Sequence, residues 1–126
     1  MGVKPPPRTW FGKFIDSFRG LFLAVATQSS FAAHLSVAVA AVAVAIWLGI
    51  TPVEWCLVTL AVGLVFMAEV FNTSIESLAR AFDRYPDDRI GDALDHASGG
   101  VLVTVLTAIV VGMIILGPRV WALLPV

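Results

Sequence analysis

The sequence predicts an all-α integral membrane protein: an N-terminal amphipathic helix lying at the interface, then three transmembrane helices. Three observations carry that reading. Hydrophobic residues make up 59% of the 126 and charged residues only 13%, against about 25% charged in a soluble domain. Residues 20–53, 55–68 and 96–118 contain no Asp, Glu, Lys or Arg. The first and last of these stretches exceed the ~20 residues needed to cross a bilayer, and the middle one does so if it runs on through Glu69. Ahead of them, apolar residues recur at helical spacing beside basic ones. A chain of this size forms one compact unit with no room for a second domain.

Residues 1–8, with Pro5-Pro6-Pro7, are expected to form a flexible arm. No short apolar core with a cleavage site follows the basic start, which argues against a cleaved signal peptide. From 9 to 26, Trp10, Phe11, Phe14, Ile15, Phe18, Leu21, Phe22 and Val25 repeat every three or four positions. Lys13, Asp16 and Arg19 fall on the other side. Aromatic and basic residues beside a span describe a helix in the interface plane. Residues 9–118 form the single membrane domain.

The first span is expected at about 31–50. Its Ala/Val run, Val37 to Ala45, allows close helix approach. The second, about 53–74, opens with Pro52, where proline is tolerated, and continues past Glu76 into water. The third, about 96–117, has Asp95 as its expected N-cap, the small residues Ala97, Ser98, Gly99 and Gly100, and Gly117-Pro118 as its expected stop. Residues 119–126 form an outer-side tail.

Basic residues set the orientation. Lys4, Arg8, Lys13, Arg19, Arg80, Arg84 and Arg89 flank one side of the spans, and Arg119 alone the other. Seven against one places the N-terminus and the 80–95 loop in the cytoplasm and the C-terminus outside.

That orientation gives meaning to Glu69-Val70-Phe71-Asn72-Thr73-Ser74-Ile75-Glu76. Ionisable residues at membrane depth are costly and mark function. Positions 69, 72, 73 and 76 share one helical face, and the two carboxylates are roughly 10 Å apart along the axis. That spacing suits a metal and a base better than a tight carboxylate pair. Other chemistries fit worse. No basic cluster points to nucleic acid. Lone Cys56 excludes a disulfide framework. There is no P-loop, no Gly-rich kinase loop and no His/Cys metal cluster. A transporter or proton pathway needs polar residues through the midplane. Beyond His34, span one offers only Ser36, and span three only Thr104 and Thr107.

Taken in order, Ser17-Phe18, Gln28, His34, Glu69-x-x-Asn72-Thr73-x-Ile75-Glu76 and Asp95-x-x-Ser98-Gly99-Gly100 resemble the prokaryotic diacylglycerol kinase family, which also includes undecaprenol kinases. The likeness covers about residues 8–118. His34 and the Asn-Thr pair are closer to the undecaprenol kinase branch. The resemblance implies a homotrimeric bundle in the bacterial cytoplasmic (inner) membrane, with active sites between subunits at the cytoplasmic surface. It implies transfer of a phosphoryl group from ATP, with Mg²⁺, to a lipid hydroxyl of undecaprenol or diacylglycerol. By family role, Glu69 is the general base, Glu76 a metal ligand with Gln28 as a second, and Asn72 and Asp95 contacts on the nucleotide side. Ser98 and His34 are candidate contacts to the lipid.

The chain also departs from the family pattern. Gln28 stands where a glutamate is usual, and an amide brings no charge to a metal. Leu94 replaces a lysine that would meet phosphate, and leucine cannot replace its charge. Arg80 stands where an acid is usual, and Ala32 where a basic residue is. Arg80, Arg84 and Arg89 are candidate replacements for the lost phosphate contact. The departures at 28 and 94 motivate a second reading, a catalytically impaired member acting as a membrane scaffold or regulatory subunit.

Overall fold

The computed structural model describes residues 6–84 and 86–125. Lys4 and the first part of the expected arm lie outside them, as does Val126. Among the described residues, four helices follow in order: α1 (Trp10–Thr27), α2 (Ser29–Leu48), α3 (Pro52–Arg80) and α4 (Asp88–Leu123). The last three are long and apolar enough to cross a membrane. At 1.5 Å per residue, α2 spans about 30 Å, while α3 and α4 reach roughly 44 and 54 Å. A hydrocarbon core is about 30 Å thick, so α3 and α4 have turns to spare. Those spare turns carry the polar residues.

Local chemistry sets each boundary. Thr9 accepts a hydrogen bond from the Gly12 N–H at 3.1 Å and starts α1. Gln28 adopts an extended backbone and is at once the end of α1 and the N-cap of α2. One residue therefore makes the whole bend. Gly49 ends α2 in the left-handed region at φ 65°, its N–H bonded to the Ala45 and Ile46 carbonyls. Glycine adopts that conformation without a Cβ clash. Two residues later Thr51 caps α3, accepting from the Glu54 N–H at 3.3 Å, with Pro52 at the first turn.

The α4 boundaries correct two expectations. Asp95 is not the N-cap; it lies two turns inside the helix. Asp87 caps instead, accepting from the Arg89 N–H at 2.9 Å. The Arg89 guanidinium beside it, 2.7 Å away, is the main cause that holds the Asp87 carboxyl below its usual range. With a cap at 87 and no proline before 118, nothing stops the helix from absorbing residues 88–95 of the expected loop. The second correction is Pro118, which sits inside α4. A proline removes the bond from its own nitrogen, here to the Ile114 carbonyl, and its ring crowds that carbonyl. Later N–H groups can still pair, and an apolar surrounding rewards that. The helix thus runs to Leu123, through much of the expected tail.

Packing is uneven. α3 and α4 lie closely side by side, and α2 touches both more sparingly. At one end, Ala45, Ile50, Val58 and Ile115 form a buried cluster supported by Trp55, Val62, Val111 and Leu116. Just beyond it, Arg119 Nη2 donates to Glu54 Oε1 at 2.9 Å, Nη1 lies 2.7 Å from Oε2, and Nη1 also donates to the Ile115 carbonyl at 2.8 Å. This contact ties the start of α3 to the end of α4. A double-mutant cycle of Glu54→Gln and Arg119→Gln, read by thermal unfolding in detergent, is expected to give a coupling of roughly 1 kcal/mol. A coupling of zero would show that the pair orders nothing. At the opposite end, Phe31 of α2 stacks on Phe66 of α3 with ring centroids 5.1 Å apart. Phe31 is fully enclosed. Between the two ends the sparse α2 contacts leave an apolar cavity of about 250 Å³.

Candidate active site

The end that holds the Phe31–Phe66 stack is where α1 meets α2, α3 ends and α4 begins. The face of α3 from Glu69 to Arg80 is there. Its two carboxylates occupy different environments. Glu69 is 3% exposed and is the buried charged residue among the described residues. One turn past Phe66, it is turned toward α2. Ser30 Oγ donates to Glu69 Oε2 at 3.2 Å, and His34 Nε2 lies 2.8 Å from Oε1. Ser30 and His34 are four residues apart, so one face of α2 supplies both partners. Burying a carboxylate without such partners is strongly unfavourable. Both of its oxygens are met.

Glu76, two turns on, has a side chain 35% exposed. Asn72 Nδ2 donates to its Oε1 at 2.8 Å, and Arg80 Nη2 lies 3.9 Å from its Oε2. Residues 72, 76 and 80 thus form an i, i+4, i+8 ladder along one edge of α3. The helix has separated a dry carboxylate from a wet one by about 10 Å. The dry one is held by neutral or basic donors from another helix. The wet one is held only by its own helix and keeps access to water.

The remaining expected site residues stand apart. Gln28 is half-buried at the α1–α2 bend and its side chain makes no capping hydrogen bond. Asp95 and Ser98 are exposed on the first turns of α4, with Leu94 half-buried beside them. Among the described residues none of these side chains is bonded to Glu69 or Glu76. Sequence reading missed Ser30 altogether. Its position one turn before His34 was the available signal. The Glu54–Arg119 contact was also missed, because partners 65 residues apart carry no local pattern.

Among the described residues, no three His, Cys, Asp or Glu side chains come together to hold an ion. There is no ready-made cage. Mg²⁺, however, is commonly bound through one or two carboxylates, with substrate phosphates and waters completing its shell. The accessible Glu76 carboxylate fits that pattern. Buried Glu69, with both oxygens engaged, does not.

Comparison with known proteins bears on the same residues. A family model described as prokaryotic diacylglycerol kinase matches residues 16–116. The chain belongs to that family. The match includes α2, α3 and every candidate site residue from Gln28 to Ser98. The chain is also similar to undecaprenol kinase of Bacillus subtilis (strain 168), with 26% identity over 110 residues, covering 87% of this chain and 89% of that one. As a member of the diacylglycerol kinase family it is a lipid kinase, a transferase of the class that draws its phosphoryl group from ATP. Its three long apolar helices suit a multi-pass membrane protein.

Proposed function

We propose that this lipid kinase transfers the ATP γ-phosphoryl group to the hydroxyl of undecaprenol, with diacylglycerol as the second candidate acceptor. The observation that carries the reading is the division of α3 into a dry carboxylate and a wet one. Phosphoryl transfer involves little covalent chemistry by the protein; it needs positioning, charge neutralisation and removal of a proton. Glu69, buried against α2, supplies the basic charge at the lipid hydroxyl. Glu76, with Gln28 as the second candidate ligand, is the residue to hold Mg²⁺. When bound, the ion would neutralise charge on the nucleotide phosphates. Asn72 fixes the Glu76 rotamer, and Arg80 offers a cation to phosphate at the same edge. Asp95 and Ser98, exposed on the first turns of α4, are the candidate contacts on the nucleotide and lipid sides respectively. The preference for a prenol rests on His34 and on the likeness to an undecaprenol kinase.

The same reading places the protein in the bacterial cytoplasmic membrane, with the site end facing the cytoplasm, where ATP is available. The interfacial role of α1 is supported by Trp10, Phe11, Phe14, Phe18 and Phe22, all more than 60% exposed. Such a row of aromatics suits the headgroup boundary. A homotrimer would bring further groups to the site from neighbouring copies. Many apolar side chains on α2 and α4 remain uncovered and are available to lipid or to another subunit.

The test is ATP- and Mg²⁺-dependent phosphorylation of undecaprenol and of diacylglycerol by the purified protein in lipid vesicles. No turnover on any lipid would overturn the reading. The impaired-scaffold alternative is motivated by Gln28, whose amide brings no charge to a metal, and by Leu94, which stands where a lysine would meet phosphate. Gln28→Glu and Leu94→Lys separate the two. For an active kinase, Gln28→Glu should lower the Mg²⁺ requirement by about tenfold with kcat changed less than about threefold. A gain in kcat of about 10²-fold or more from the pair would identify an impaired natural site.

A further inference from the structure

Among the described residues, serine and threonine hydroxyls that donate follow one habit, and Ser30 breaks it. Ser17, Thr27, Ser36, Ser74, Thr104 and Thr107 each donate to a carbonyl three or four residues back on their own helix. Ser30 Oγ donates across helices instead, to Glu69 Oε2 at 3.2 Å. The local chain explains the exception. A serine inside a helix commonly bonds the carbonyl four residues behind it. For Ser30 that residue is Ala26, which belongs to α1, on the other side of the extended backbone at Gln28. The one-residue bend leaves Ser30 in the first turn of α2, with no carbonyl of its own helix behind it. Its hydroxyl is free to reach α3.

Two contacts orient a carboxylate where one does not. His34 Nε2 lies 2.8 Å from Glu69 Oε1. With that contact alone, the group could turn about Oε1 and carry Oε2 away. Ser30 holds the second oxygen. Because Ser30 and His34 are one turn apart on α2, they meet the two oxygens of one carboxylate and set its plane. A carboxylate has about four acceptor positions, two on each oxygen. The α2 partners take one on each oxygen and leave the others for a substrate hydroxyl. At 3.2 Å the Ser30 contact is long for a hydroxyl donor, as catalytic contacts commonly are before substrate binds. Aim matters here, because a base must lie within hydrogen-bond reach of its proton, and a misplacement of about 1 Å costs roughly 10²-fold in rate.

We propose that Ser30 is the positioning residue of Glu69: its hydroxyl fixes the orientation of the carboxylate toward the lipid hydroxyl without touching the substrate. The assignment rests on the lipid-kinase reading, in which Glu69 takes the proton, and adds the residue that aims it. In that step the lipid O–H bond breaks and its proton passes to Glu69. The lipid oxygen bonds to the γ-phosphorus as the bond from that phosphorus to the ADP oxygen breaks. The Ser30 O–H bond stays intact throughout.

The experiment uses the full-length protein in vesicles with Mg²⁺–ATP and undecaprenol. Ser30→Ala is expected to lower kcat by about tenfold, with the KM for ATP within about twofold. Ser30→Thr keeps a hydroxyl and is expected to retain at least about a third of the wild-type rate. Ser36→Ala removes a hydroxyl from the same helix that bonds only its own backbone, and its kcat should stay within about twofold of wild type. Combination with Glu69→Gln separates aiming from packing. A residue that acts through Glu69 has nothing to aim once the base is gone, so adding Ser30→Ala to Glu69→Gln should change the remaining single-turnover rate by less than about twofold. A loss below about threefold in Ser30→Ala would overturn the assignment. So would an equal loss in Ser30→Thr or Ser36→Ala, or a further loss of about tenfold on the Glu69→Gln background. A wild-type protein without turnover on any lipid is a different failure, because it removes the lipid-kinase reading itself and this assignment with it.

Discussion

Glu69→Gln is expected to lower kcat by about 10³-fold while leaving Mg²⁺-dependent ATP binding within about threefold of wild type. The substitution changes few atoms but removes the one buried negative charge on the α3 face. The amide that replaces the carboxylate has no basic oxygen to take the proton of the lipid hydroxyl. The amide can still accept from Ser30, so the helices should stay packed. Nucleotide binding is spared because Glu76 is two turns away and held by different partners. The measurements are single-turnover phosphorylation of undecaprenol and equilibrium binding of ATP with Mg²⁺. A Glu69→Gln protein that keeps more than about a tenth of its rate would remove Glu69 from the chemistry. One that loses ATP binding would show that the two carboxylates are not separate in role.

Glu76→Gln is expected to give the complementary pattern. It takes charge from the accessible carboxylate that fits an ion held mainly by phosphates. Mg²⁺-dependent ATP affinity should fall by about tenfold or more, and kcat at saturating Mg²⁺ by about 10²-fold. Asn72 and Arg80 keep their places on the helix but lose the carboxylate between them. A Mg²⁺ titration of both binding and turnover reads the effect. An unchanged Mg²⁺ dependence would exclude Glu76 as a ligand and move attention to the exposed acids on the first turns of α4. Neither variant should unfold the protein, because the apolar cluster at the far end and the Phe31–Phe66 stack do not involve these acids.

Much of the candidate site was legible in one dimension because it lies on one helix. Glu69, Asn72 and Glu76 are neighbours through helical periodicity alone, and the 72–76–80 ladder follows from four-residue spacing. The capping residues Gly49 and Thr51 are equally local. The errors came where a local signal competed with its surroundings. Asp95 looked like a cap because a run of small residues follows it, yet Asp87 had an earlier claim and its own Arg89 partner. Pro118 looked like a stop. The lost bond and crowded carbonyl at Pro118 are a local cost, whereas leaving all the further backbone groups unpaired in an apolar setting is a larger one.

The amino-acid sequence by itself determined the class of protein, the three long apolar helices and the presence of two carboxylates on one face. Those properties depend on composition and on a repeat of 3.6 residues, which any reader of the chain can count. It could not assign the two carboxylates different environments. That was decided when the start of α2 packed against the end of α3. Ser30 and His34, far from Glu69 in sequence, then closed over one acid and left Glu76 open to water. Burial is a property of what approaches from elsewhere in the chain. Burial is what sets the two carboxylates apart, one enclosed by Ser30 and His34 and the other open to water.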